Sequence, residues 1–150
     1  MLVDGQPGCG KTLFTAIIAA MERVELLNYS FELENLCGLR YLGKIDQDAV
    51  EAMIRIQMDL VLYETMMGRR VNVRPKDMSS IFRDTEWFRY LKRMFSEGDH
   101  TIPEKIRKEK PILHFATHNL LGFSRPIFDA LPTQTFVKVL PLYMTPACCG

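Results

Sequence analysis

Gly5-Gln6-Pro7-Gly8-Cys9-Gly10-Lys11-Thr12 fits the pattern G-x-x-x-x-G-K-[ST] in full, and this segment constrains the fold more than any other. Before it stands the short apolar run Met1 to Asp4, which suits a buried strand ending at Gly5. After it, Leu13, Ile17, Ala20, Met21 and Val24 recur at helical spacing, so the spacing predicts a helix from about Lys11 to Leu27. In a strand–loop–helix setting, glycines let the backbone curl until successive N–H groups face one phosphate chain. The first helical turn adds unpaired N–H donors and the positive end of its dipole. Gly5, Gln6, Pro7, Gly8, Cys9, Gly10, Lys11 and Thr12 are therefore the candidate binding residues. Lys11 would reach the terminal phosphates, and Thr12 would offer its hydroxyl to Mg²⁺ if the ligand is a nucleoside triphosphate.

The rest of the chain reads as one α/β domain over residues 1–150. A long helix is predicted from Asp46 to about Met67, with Ala49, Met53, Ile56, Leu60, Tyr63 and Met67 as its apolar stripe and Gly68 past its end. Asn28 to Gly43 is ambiguous, and Val71 to Val73 reads as a brief strand or an extended connection. Ser79 and Ser80 offer caps for a helix carrying Ile81, Trp87, Phe88, Leu91 and Phe95, ended by Gly98. Pro103 starts a short charged helix before Pro111. Strands are expected at 112–117 and 135–140, with a helix closing at Phe128 to Leu131.

With 150 residues, 47% hydrophobic and 25% charged, the chain is neither disordered nor fibrous. The apolar run Leu13 to Met21 is too short to cross a bilayer, which takes roughly 20 residues, and no basic leader precedes it. Neither a membrane nor nucleic acid is expected as a partner. The net charge of +1 hides a split: five Lys/Arg against ten Asp/Glu in residues 1–68, and twelve against seven in 69–110. One face could thus attract an anion, although a solvated helix surface explains the split equally well. Cys9, Cys37, Cys148 and Cys149 show no C-x-x-C spacing, which suits reduced thiols and a cytoplasmic setting.

Gly5 to Thr12 resembles the Walker A motif of P-loop nucleotide-binding proteins, and its Gly-x-Pro-Gly-x-Gly-Lys form is similar to that of nucleotide kinases and AAA-type ATPases. The distal half, Ala116-Thr117-His118-Asn119, a helix, then Phe136-Val137-Lys138-Val139-Leu140 and Pro141-Leu142, resembles the P-loop sulfotransferases. That resemblance implies a three-layer P-loop fold with a mainly parallel sheet. It also implies sulfuryl transfer from 3′-phosphoadenosine 5′-phosphosulfate to a hydroxyl or amine of a small-molecule or carbohydrate-like acceptor. Lys11 would hold the 5′-phosphosulfate and His118 would be the catalytic base. The family's Arg-x-Pro, whose arginine binds the 3′-phosphate, is not matched, because Pro141 directly follows Leu140; a truncated or divergent C-terminal end would account for this. An ATP-dependent kinase or NTPase using Mg²⁺ is the alternative, and a regulatory or inactive nucleotide-binding protein is the second.

An NTPase should also present an acid at the end of an apolar strand. Glu64 has helical surroundings and reads as an ordinary helix residue, and Asp4 is a weaker substitute. His114 reads as a packed or partly exposed strand side chain, and a two-histidine metal site with His118 lacks a third ligand. The run Arg83, Trp87, Phe88, Arg89, Tyr90, Lys92 and Arg93 could bind an anionic or ring-bearing substrate, or single-stranded nucleic acid by stacking, although no recognised nucleic-acid motif accompanies it. A helix of this kind is expected to pack its aromatics inward and leave its arginines in solvent. Acceptor identity and oligomeric state are not legible in the sequence.

Overall fold

The computed structural model describes residues 1–5, 10–96, 100–118, 120 and 122–131, together with the backbone of 139–142. Four strands, β1 (Leu2–Gly5), β2 (Val24–Tyr29), β3 (Ile112–Ala116) and β4 (Val139–Leu142), form a parallel sheet in the order β2-β3-β1-β4. Helices α1 (Lys11–Ala19), α2 (Phe31–Tyr41), α3 (Gln47–Met67), α4 (Trp87–Met94), α5 (Ile102–Glu109) and α6 (Arg125–Ala130) make the connections.

Successive strand residues point to opposite faces, so Leu2 and Val3 seed two cores. Val3 packs with Ile18 of α1 and Val24 on one face. Leu2 and Phe115 pack with α2, α3 and α6 on the other, through Leu33, Cys37, Ile54, Val61 and Ile127. The chain is therefore α/β, with helices on both faces of an open parallel sheet. Among the described residues no helix is long and apolar enough to cross a membrane.

Several expectations change. The helix predicted over Lys11 to Leu27 ends at Ala19, and Val24 begins β2. Its Val24-Glu25-Leu26-Leu27 stretch is buried between neighbours on both faces, which a helical count cannot detect. Within α1, Thr15 and Ile18 face the sheet, while Leu13, Phe14 and Ile17 are exposed, as is Met21 beyond its end. The ambiguous segment holds α2, started by Ser30, whose hydroxyl accepts from Leu33 N–H, with Glu32 and Glu34 in its first turn.

Helix α3 keeps its anticipated bounds, with Asp46 before it and Gly68 in the left-handed conformation (φ 80°) after it. Its buried face is not the anticipated one. Val50, Ile54, Met58 and Val61 line the core, while Ala49, Met53, Ile56 and Leu60 are exposed. Both stripes are apolar at helical spacing, and the surrounding surfaces chose between them.

The helix expected after Ser79 and Ser80 splits into a 3-10 turn at Ile81–Arg83 and α4. Ser80 caps the turn, accepting from Phe82 N–H, and Asn72 bridges to Ser80 rather than joining a strand. Pro103 sits in the first turn of α5 as expected, and the helix expected to close at Phe128 to Leu131 runs from Arg125 to Ala130. The last strand is seen as Val139–Leu142; its expected residues 135–138, and Gly98, lie outside the described residues.

The reading of α4 holds for Tyr90, which is fully buried, and fails for Phe88, Phe95 and Arg93. Phe88 is 67% and Phe95 86% exposed, whereas Arg93 is only 3% exposed. Arg93 makes a two-pronged ion pair with Glu25 of β2, at 2.6 and 3.1 Å, and Arg89 adds a contact to the same carboxylate at 3.8 Å. A buried carboxylate on β2 demands a cation, and this demand turns the helix. Tyr90 fills the remaining space, with both guanidiniums over its ring. Burial beside Glu25 pushes its phenol well above the usual range.

Candidate functional site

Strand order places the site. From β1 the chain crosses over β3 to reach β2, and from β3 it crosses over β1 to reach β4. Right-handed crossovers in opposite directions send the two connections to opposite faces, consistent with α1 on one face and α6 on the other. The carboxyl ends of β1 and β3 therefore flank the crevice where open α/β sheets hold ligands.

Lys11 and His118 both arise there. The Lys11 ammonium donates to the Gly5 carbonyl at the end of β1, and to the Thr117 carbonyl just past β3 at 2.9 Å. The lysine thus spans the two strands. Gly10, at φ 84°, turns the chain into α1 through a conformation glycine adopts without strain. Thr12 is exposed in the first turn, where backbone N–H groups lack intrahelical acceptors. Gln6, Pro7, Gly8 and Cys9 lie outside the described residues, as do Asn119, Cys148 and Cys149.

Behind Lys11 lies Asp4, fully buried. Its carboxylate accepts the Thr117 hydroxyl at 2.9 Å and the Leu120 N–H through both oxygens at 3.1 Å. Asp4 therefore fastens the turn that carries His118 to β1. This is a structural tie, and it leaves that carboxylate unsuited to the metal-binding role considered from sequence.

His118 is held from the neighbouring helix. One oxygen of Glu34, in the first turn of α2, accepts the His118 backbone N–H at 2.6 Å and faces its ring Nδ1 at 3.2 Å. A carboxylate at Nδ1 favours the tautomer protonated there, leaving Nε2 as the basic nitrogen. Phe31 and Tyr29 stack with the imidazole, at centroid distances of 5.6 and 6.0 Å and interplanar angles of 2° and 20°. The histidine remains partly open to solvent.

The geometry thus joins Lys11, Thr12 and His118 along one edge and adds Glu34, Tyr29 and Phe31, which sequence reasoning missed. The available signal was Ser30 followed by Glu32 and Glu34, a helix start just past a strand. Glu64 is a helix residue paired with Arg70, as expected. His114 is fully buried inside β3, and neither ring nitrogen has a partner among the described residues; burial lowers its pKa to about 4. Cys37 is a free, buried thiol, pushed up to about 11 by burial. No group of side chains suited to a metal ion occurs among the described residues.

No family model, curated protein or solved structure matches the chain.

Proposed function

We propose that the crevice between β1 and β3 binds the polyphosphate of a Mg-nucleoside triphosphate, and that the chain is a P-loop phosphoryl-transferring or hydrolysing domain. The observation that carries this reading is the Lys11 ammonium bridging the carbonyls that end β1 and follow β3, beside a carboxylate-held histidine. The donor set fits such a ligand: a cation on two carbonyls that an anion can replace, an exposed Thr12 hydroxyl, and free helix N–H groups. When bound, Mg-nucleoside triphosphate supplies the electrophilic terminal phosphorus and neutralises part of its charge. Lys11 would stabilise the anionic oxygens, and His118 Nε2 would accept the proton of the attacking water or hydroxyl while Glu34 fixes the ring.

Sulfuryl transfer from 3′-phosphoadenosine 5′-phosphosulfate is the second reading, favoured by His118 at the end of β3. Against it, Leu140 and Pro141 are adjacent in β4, without the arginine a 3′-phosphate needs. A nucleotide-binding regulatory protein would share the site without turnover.

Calorimetry separates these. Mg-ATP should bind wild type, and Lys11→Ala should lose roughly tenfold to 100-fold in affinity, the worth of one charge-assisted hydrogen bond. Binding of adenosine 3′,5′-bisphosphate without metal, and no binding of Mg-ATP, would overturn the first reading in favour of the second. Mg-ATP binding without phosphate release or transfer would leave the regulatory one.

A further inference from the structure

A second cavity, of about 570 Å³, opens at the opposite, amino-terminal end of the sheet. Its wall is apolar: Leu2 of β1, Leu33 of α2, Met58 of α3, Phe115 of β3 and Ile127 of α6 all line it and all belong to the main core. Cavities of roughly 300–1,000 Å³ with such walls are typical of small-molecule sites. Its ionic lining is unequal, with Arg23, Arg55 and Lys110 against Asp59 alone.

Two of those cations stand out by their backbone. Arg23 (φ 65°) and Lys110 (φ 47°) are the non-glycine residues with positive φ among those described. They precede β2 and β3, whose first residues are adjacent in the sheet, and the Ile112 N–H donates to the Arg23 carbonyl at 2.8 Å. Neither cationic side chain has a partner among the described residues, whereas Arg55 is engaged by the Ala130 carbonyl and Glu51. Side chains rarely hold this backbone without compensation from their surroundings. Here it sets two unneutralised cations beside one apolar cavity.

We propose that this cavity binds a single-chain alkyl carboxylate, its chain against Leu2, Met58, Phe115 and Ile127 and its headgroup between Arg23 and Lys110. The site is separate from the crevice at the carboxyl edge and does not depend on what that crevice binds. The chain supplies the affinity by leaving water, and the two cations select an anionic head over a neutral or cationic one.

The test is calorimetric titration with hexanoate, octanoate and decanoate, each below its micellar concentration, alongside decanol and decyltrimethylammonium. Affinity should rise about fourfold per added methylene, decanoate should bind more tightly than decanol, and the cationic amphiphile should not bind. Arg23→Gln/Lys110→Gln removes both charges while keeping polar side chains at the rim, and should reduce decanoate to the affinity of decanol while leaving decanol unchanged. Met58→Trp should fill the cavity and abolish both. Absence of decanoate binding, equal binding of the cationic amphiphile, or full affinity in the double glutamine variant would each overturn the proposal. Circular dichroism of the double variant, whose changes are confined to the rim, confirms that it is folded.

Discussion

One carboxylate oxygen of Glu34 holds His118 twice, by its backbone N–H at 2.6 Å and at ring Nδ1 at 3.2 Å, although the residues lie 84 positions apart. Glu34→Gln keeps the length and removes the charge that fixes the tautomer. If the chain turns over Mg-ATP as proposed, with His118 as the base, turnover should fall about tenfold or more on loss of its orientation, with Mg-ATP affinity almost unchanged. Steady-state kinetics beside calorimetry checks this. Equal losses in binding and turnover would assign Glu34 to ligand binding instead.

Glu25 and Arg93 form a buried pair across 68 residues. Arg93→Met leaves the carboxylate buried without its main partner and should destabilise the fold by about 3–5 kcal/mol. Glu25→Leu/Arg93→Met removes both charges and should recover most of that loss. Urea unfolding of both variants measures the difference; a double variant as weak as the single one would show that the pair itself supplies net stability.

His114 makes stability fall with acidity. An unfolded chain protonates this ring near its ordinary value of 6.5, whereas burial keeps the folded ring neutral down to about 4. Between those values the unfolded state binds the extra proton, so stability is intact above the window and declines as pH falls through it. The full loss is about 3 kcal/mol. His114→Leu should flatten this part of the curve and be neutral or stabilising at pH 7.5, because two unpartnered nitrogens leave the core. Urea midpoints at pH 7.5 and 4.5 give the comparison.

Gly68 and Gly43 separate backbone strain from collision. Both have positive φ, 80° and 66°. A Cβ at Gly68 would lie 2.8 Å from the Arg93 carbonyl carbon and the Met94 nitrogen, while one at Gly43 meets nothing within 4 Å. Gly43→Ala should therefore lose about 1 kcal/mol from conformation alone. Gly68→Ala should lose more than about 2 kcal/mol, because α4 must also shift from the end of α3. Equal melting temperatures for the two variants would contradict this.

Local chemistry made much of this chain legible in sequence. The apolar run Met1 to Asp4 announces β1, and the motif ending in Lys11-Thr12 announces the start of α1. Gly68 marks the end of α3, and Pro103 the first turn of α5, because backbone constraints act within a few residues. Periodicity found α3 but not its buried stripe, since Met53/Ile56/Leu60 and Ile54/Met58/Val61 are both apolar and only the opposing surface distinguishes them. It also extended α1 to Leu27, because a strand buried on both faces carries no alternation.

The sequence by itself determined that a glycine-rich loop ending in Lys11 and Thr12 joins a buried strand to a helix, and that His118 follows a later strand. Only the tertiary structure decided that β1 and β3 are neighbours, that Asp4 ties their ends together, and that Glu34 reaches His118 from α2. It likewise put Arg93 inside and Phe88 outside. Those outcomes rest on pairing a buried charge with a cation and a buried carboxylate with donors. The partners are distant in sequence, so no local pattern records them.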